Sequence, residues 1–421
     1  MARVVVVGGG FAGLASAARL AKLRHEVVLL ESAEELGGRL RNVRRGTGAW
    51  QICPDTMTLP GVVRDLFRKS GRPLDKALDL ETVPGRRHVF ADRSSLDLPM
   101  GRRSDQHDAV TGLLGADPWS PWLDTMPESW DVLRRRTIHT LPSGHGTLDR
   151  AARKNLAVRR SLRRAARMAF KDRRLRAMVV DAARLDGDDD RVTPAFTAVT
   201  HYLERNFGRW RVVGGMPALA DALTQRLAER RVTTHLGVRA HGLEVSADGA
   251  VRAVLTEDER YEADVVVWAA GTWPRPLPPP KLLPCIPATR TLVRLGPEAP
   301  MLPHDIATHG DPPMRLWSDG SDCWTITHHN AEDPITALAR VGIDLREQVE
   351  ERHDLRPTEL VLQTHWGWQW RGWASQVNRP SRPGPDGLFM VGAHAHPGPG
   401  LELIGLAAEA VAEHLGPVPR R

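Results

Sequence analysis

Cysteine is nearly absent from this 421-residue chain: Cys53, Cys285 and Cys323 are the only three. Their odd number and wide spacing exclude a disulfide framework and fit no zinc motif. Paired Cys/His fingers and the aromatic ribonucleoprotein signature are missing too, so no nucleic-acid partner is expected. Long apolar runs are also lacking, and none approaches the ~18 residues needed to cross a bilayer. The apolar start Val4–Val7 is short and runs into Gly8-Gly9-Gly10, unlike a signal peptide. The expectation is a cytoplasmic protein, with peripheral contact at the inner face of the membrane as the one membrane association left open. Lysine is scarce, so the net charge of +7 rests almost wholly on arginine. Such a balance attracts phosphates, anionic lipid or nucleic acid without choosing among them. Tyrosine is rarer still, with two residues against 13 tryptophans.

What is present is a globular composition, 41% hydrophobic, long enough for about two lobes. Arg3–Val7 reads as a buried parallel strand, continuous and β-branched. It leads into Gly8-Gly9-Gly10-Phe11-Ala12-Gly13. In that pattern Gly8 permits the tight turn, Gly10 lets the backbone approach a pyrophosphate, and Gly13 lets a helix pack close to the strand. The helix is expected from about Ala12 to Leu23, and its free N–H groups face a phosphate. Arg24 stands where a glycine stop is usual, at a small cost in capping. A second strand, Glu26 to Leu30, ends at Glu31 and Ser32. An acid at that distance accepts hydrogen bonds from an adenosine ribose and repels a 2′-phosphate. Leu36-Gly37-Gly38-Arg39 then supplies a second glycine pair and a cation for the pyrophosphate.

That second motif resembles the one in phytoene desaturases within the FAD-dependent amine oxidase superfamily. The similarity extends to Thr58-Leu59-Pro60, to Ala169–Arg176 and to Trp210-Arg211-Val212-Val213-Gly214-Gly215-Met216. It returns at Asp264–Gly271, a strand ending in small residues that include Ala270 and Gly271, and at Asp386–His394 followed by Pro397-Gly398-Pro399-Gly400. A helix from about Leu401 to Leu415 closes the match. The resemblance implies an α/β protein with a discontinuous Rossmann-type FAD-binding domain and a mixed α+β substrate lobe. The FAD-binding domain is expected over residues 1–80, 205–272 and 374–421, and the substrate lobe over 81–204 and 273–373. It also implies that Gly392, Ala393, Gly400 and Leu401 meet the ribityl chain and pyrimidine edge of the flavin. The expected reaction is hydride removal by FAD from a lipophilic organic substrate. Flavin amine oxidation and a non-catalytic FAD-binding partner protein are the alternatives.

Candidates for the chemistry are fewer. His394 and His396 sit on the turn expected at the flavin and could pass a proton near neutral pH, although turn histidines more often serve the backbone. Glu402, at the start of the final helix, could serve as an acid/base group, although a carboxylate is favoured there for helix-dipole reasons alone. Trp366, Trp368, Trp370 and Trp373 crowd one stretch, and the first three would share one face of a strand. They suit aromatic walls beside a flat, apolar or cationic substrate, or simple core packing. Lys281 lies in a proline-rich loop, which argues against the lysine that many amine oxidases place near the flavin. Arg159, Arg160, Arg163, Arg164 and Arg167 give a basic helical stretch read as a solvated outer face, and Asp186–Asp190 as a solvated turn without calcium-loop spacing. No metal is expected.

Overall fold

The computed structural model describes residues 1–53, 56–141, 148–278, 284–329, 331–363, 369–370, 382 and 384–419. Arg3–Val7 (β1) is the central strand of a five-stranded parallel sheet. Glu26–Leu30 (β2) lies on one side of it and Val265–Trp268 on the other, with Thr233–His235 and Leu388–Met390 at the edges. The unbroken apolar runs Val4–Val7 and Val265–Trp268 are buried because the sheet is covered on both faces.

The two covers differ. On one face, Val4, Val6, Leu29 and Val267 pack under Phe11–Lys22 (α1), the helix Gly215–Glu229 and the C-terminal helix Leu401–Leu415. On the other, Val5, Leu30, Val266 and Trp268 meet Leu243, Val251 and Val254 of a three-stranded antiparallel sheet. The strands expected at 232–236, 242–246 and 251–255 form at Thr233–His235, Ala240–Val245 and Val251–Thr256. The final helix runs from Leu401 to Leu415, as expected.

A second, seven-stranded sheet joins distant parts of the chain. Its order is Val349–Leu355, Thr289–Leu295, Cys323–His328, Met314–Ser318, Asp305–His309, Gly85–Phe90, Ser95–Pro99. One face is apolar: Val293, Ile306, Leu316 and Ile326 pack on Ile335 and Leu338 of the helix Pro334–Arg340. The other face is polar at its centre, with Arg315, Asp305 and His309, and carries Leu292 and Phe90 to either side. Helices including Leu162–Ala169 and Arg173–Leu185 form a further layer around Trp119 and Phe170.

The basic stretch is two helices rather than one. Arg150–Asn155 and Leu162–Ala169 are separated where Ala157 takes φ +45° and Ser161 caps the second helix. The stretch also has an apolar face, because Leu156, Leu162, Ala166 and Phe170 are all buried. The acidic turn is not wholly solvated, because Asp190 is buried and receives Arg163 in a bidentate pair at 2.7 and 2.8 Å.

Arg24 follows α1 with φ +72°, the left-handed conformation that glycine adopts freely and a Cβ resists. Arg24 is exposed, so its side chain contributes little packing. Arg24→Gly should therefore raise the unfolding free energy by about 0.5–1 kcal/mol, the gain in strain exceeding glycine's entropy in the unfolded chain. Urea titration checks this. A loss of stability would show that the side chain matters more than the backbone.

Candidate functional site

The site is built at the carboxyl ends of the parallel strands. Val7 pairs with Trp268, and Trp268 with Met390, so the residues that follow each strand emerge side by side. Gly8 takes φ +102°, and a Cβ there would lie 2.9 Å from the Ala270 backbone nitrogen. The first and fourth strand ends thus touch, with Gly271 next in the chain. At Gly13 a Cβ would fall 1.8 Å from the Gly8 carbonyl oxygen, so only glycine lets α1 begin this close to β1. At Gly10 a Cβ would meet nothing within 4 Å. Backbone at the start of α1 is therefore approachable, and Gly10 caps the helix with no side chain in the way.

The second glycine pair docks on the first. Gly37 N donates to Gly9 O at 2.8 Å, and Gly10 and Gly37 form a parallel bridge. A Cβ on Gly38, whose φ is +52°, would lie 3.1 Å from the Gly10 Cα. Arg39 follows in the short 3-10 turn Gly38–Leu40, half-buried. Two glycine motifs that are 27 residues apart in sequence become one wall, with the first turn of α1 (Phe11, Ala12, Gly13) opening beside it.

Glu31 closes the floor. Its Oε2 accepts from Gly9 N at 2.5 Å, and its Oε1 from Ala33 N at 2.7 Å and Ser32 Oγ at 3.1 Å. A carboxylate has about four lone-pair sites. Three are used in shaping the loop, and the fourth matches a ribose hydroxyl donor. An approachable backbone at Gly10, uncapped helix N–H groups, a buried carboxylate and a following cation form a donor set that fits an adenine dinucleotide.

The C-terminal piece reaches the same edge. Val391 N donates to Trp268 O at 3.1 Å, and Gly392 takes φ +137° with the His394 ring 3.1 Å from where its Cβ would be. Ala393, His394 and His396 are buried, and Gly400, with φ +113°, caps the C-terminal helix ahead of half-buried Leu401. Gly405 of that helix packs against Phe11 at the start of α1. Glu402 does something that position alone did not reveal. Its Oε1 accepts from Thr58 N, from Thr58 Oγ1 at 3.1 Å and from Leu59 N at 3.3 Å. It ties the C-terminal helix to the start of the helix Pro60–Ser70. Of the tryptophans, Trp366, Trp368 and Trp373 lie outside the described residues. Trp370 belongs to a two-residue strand paired with Pro284–Cys285.

The polar face of the seven-stranded sheet went unseen in the sequence. Asp305 receives Arg315 at 2.9 and 3.1 Å, Arg86 at 3.0 Å and also Arg209. Glu204 lies 3.4 Å from Arg86. Burial opposes ionisation of Asp305, but the guanidinium groups of Arg315, Arg86 and Arg209 overcome it and hold its carboxyl well below the usual range. Beside them Asp181 accepts from His309 Nδ1 at 2.9 Å, which lets His309 Nε2 accept from His88 Nδ1 at 2.8 Å. Period-two alternation of Asp305, Ala307 and His309 was the available signal for this face.

Burial keeps three histidines neutral. It pushes His201 and His328 down to about 4 and His88 well below its ordinary value. In the unfolded chain each titrates near 6.5. Between 6.5 and about 4 the unfolded chain therefore holds protons that the folded chain refuses. This share of stability is complete above that window and falls as pH drops through it, by up to about 1.4 kcal/mol per pH unit for each histidine. Urea unfolding at several pH values should show the slope, and His201→Gln should make it shallower. A flat profile between pH 6.5 and 4 would contradict the burial account.

Comparison with known proteins follows the same lines. The family model described as flavin containing amine oxidoreductase matches residues 11–296, more than half of the chain. Hydroxyneurosporene desaturase of Cereibacter sphaeroides is 30% identical over 276 residues, covering 63% of this chain and 55% of that protein. The 4,4'-diaponeurosporene oxygenase of Staphylococcus aureus is 23% identical over 273 residues, with coverages of 63% and 54%. The matched part thus spans about half the length of these relatives. Among solved structures, putrescine oxidase bound to putrescine shares the fold, with a TM-score of 0.66 over 98% of both chains at 13% identity. Cyclohexylamine oxidase from Brevibacterium oxydans gives 0.63 at 14% identity, over 98% of this chain and 99% of that one. The chain belongs to the flavin-containing amine oxidoreductase family, and its cofactor is FAD.

Proposed function

We propose that the chain is an FAD-dependent oxidoreductase of the desaturase kind, removing hydride from an organic substrate with a large apolar part. The similarity to a hydroxyneurosporene desaturase and a diaponeurosporene oxygenase supports a lipophilic substrate. The observation that carries the reading is the meeting of three strand ends at Gly8, Ala270 and Gly392, with Gly38 against Gly10.

In this reading the N–H groups of Phe11, Ala12 and Gly13 bind the pyrophosphate, and Arg39 neutralises it. Glu31, held by Ser32, takes a ribose hydroxyl. Ala270, Gly271, Gly392, Ala393, Gly400 and Leu401 border the flavin, where the amino end of the C-terminal helix favours negative charge. FAD supplies the acceptor for two electrons and a proton when bound. His394 and His396, buried on the turn after Leu388–Met390, are assigned to holding a proton beside it. We place the FAD-binding residues in 1–80, 205–272 and 374–421, and the substrate lobe in 81–204 and 273–373. The separate sheets support that division. Among the described residues no helix is long and apolar enough to cross a membrane. Substrate delivery by peripheral contact with an anionic membrane is retained as part of the reading.

Purified protein should be yellow and release about one FAD per chain on denaturation. Gly10→Ala should change the unfolding free energy of the apoprotein by less than about 1 kcal/mol, since the added Cβ meets no protein atom. The same change should weaken FAD at least about ten-fold, or 1.4 kcal/mol. Anaerobic bleaching of the flavin by isoprenoids, without peroxide release on amines, distinguishes desaturation from amine oxidation. Bleaching by amines alone would favour the oxidase, and colourless protein would end the reading.

A further inference from the structure

The outer side of the helical layer carries charge that the fold does not use. On the helix Leu162–Ala169, Leu162 and Ala166 are buried and Arg163 is taken by Asp190. That leaves Arg164, Arg167 and Met168 on the outward side, all exposed. Residues three and four apart on a helix are neighbours, so these side chains form one stripe. A later segment runs beside the amino end of the same helix. Leu162 N donates to Thr193 O at 2.8 Å, Arg163 N to Asp190 O at 3.0 Å and Ala195 N to Arg160 O at 2.8 Å. Those bonds bring Arg191 and Val192 alongside Arg159 and Arg160, and all four are exposed. Lys171, just past the carboxyl end of the helix, is exposed as well.

These cations lack acids. Arg163, Arg174 and Arg184 nearby each hold an aspartate. Among the described residues, Arg159, Arg160, Arg164, Arg167, Lys171 and Arg191 form no ion pair. The exposed acid beside them is Asp189, which accepts from Arg191 N at 2.9 Å. Unpaired charges of one sign repel one another, and an anionic partner relieves that repulsion. Two apolar side chains stand among the cations, Met168 at 63% and Val192 at 57% exposure. Such side chains gain little against a phosphodiester backbone, but they gain by entering the boundary between lipid headgroups and acyl chains. The apolar side of the helix is already spent on Trp119 and Phe170, so the contact is electrostatic with two shallow anchors rather than an inserted helix. Beneath this layer, Leu156 packs with Val199 and Leu406, and Leu403 lies beside them. Apolar contact therefore continues from under the patch to the first turns of the C-terminal helix, which Gly400 caps.

We propose that this face docks on an anionic lipid bilayer, with Arg164, Arg167 and their neighbours on the headgroup phosphates and Met168 and Val192 just below them, and that the enzyme takes its lipophilic substrate from there. The second part rests on the flavoenzyme reading above, and the docking itself does not. Each arginine or lysine near an anionic surface contributes about five-fold in affinity. The patch therefore gives reversible binding that salt weakens, and the bilayer brings a water-insoluble substrate to the side of the molecule from which apolar contacts lead toward the flavin edge.

The test is co-sedimentation of FAD-loaded protein with vesicles of phosphatidylcholine alone and of an equal mixture of phosphatidylcholine and phosphatidylglycerol. The protein should sediment with the mixed vesicles only, and should be released in about 1 M salt, where the Debye length shrinks to about 3 Å. Arg164→Gln with Arg167→Gln should weaken this binding at least about twenty-fold. Arg72→Gln with Lys76→Gln, outside the patch, should leave it unchanged. Met168→Ser should weaken vesicle binding at least about three-fold and leave binding to a double-stranded oligonucleotide unaltered. All of these side chains are exposed, so the melting temperature and the bound FAD should not change. No binding to the mixed vesicles, or an arginine pair variant that binds as before, would overturn the docking while yellow holoprotein leaves the flavoenzyme reading standing. An oligonucleotide bound more tightly than the mixed vesicles, with Met168→Ser sparing both, would assign the patch to nucleic acid and overturn it too. Protein that docks but takes up no FAD would keep the membrane face and remove the substrate it is said to deliver.

Discussion

The structure depends on the close approach of α1 to the strand that precedes it. With 1.8 Å between the Gly8 carbonyl oxygen and the place of a Gly13 Cβ, no side chain fits at residue 13. That contact sets where α1 starts, and so where its unpaired N–H groups point. The rest of the site is arranged around this origin. Gly37 and Gly38 dock on Gly9 and Gly10, Ala270 lies on Gly8, and Gly405 of the last helix packs on Phe11. Each contact needs a glycine on at least one side, because a Cβ there would crowd its neighbour. Together they bring the two ends of a long chain to one edge of one sheet.

A second constraint is electrostatic. Burying Arg86, Arg209 and Arg315 costs desolvation, and Asp305 offsets it by receiving all three. The result is a wall that is structured by charge, on the side of the sheet opposite the cluster of Val293, Ile306, Leu316 and Ile326.

Much of the dinucleotide half was legible because its signals are local. A glycine that must lack a Cβ, or an acid at the end of β2, announces itself in a few residues, and the helices and strands around them formed within a residue or two of expectation. The seven-stranded sheet was not legible, because its pairing unites residues 85–99 with 289–355 and no local pattern encodes that register. Glu402 illustrates the limit. Its place in the first turn of a helix suggested a dipole role, yet its partner Thr58 lies 344 residues away. Asp190 misled in the same way: an acidic run reads as solvated until Arg163 is found against it.

The central claim is that one FAD touches both ends of the chain. Hydrogen exchange of the apoprotein with and without FAD measures this directly, peptide by peptide. Protection should appear together in Gly8–Leu14, Glu31–Arg39 and Val391–Leu401. Protection confined to the first two segments, with the third exchanging as before, would contradict the account.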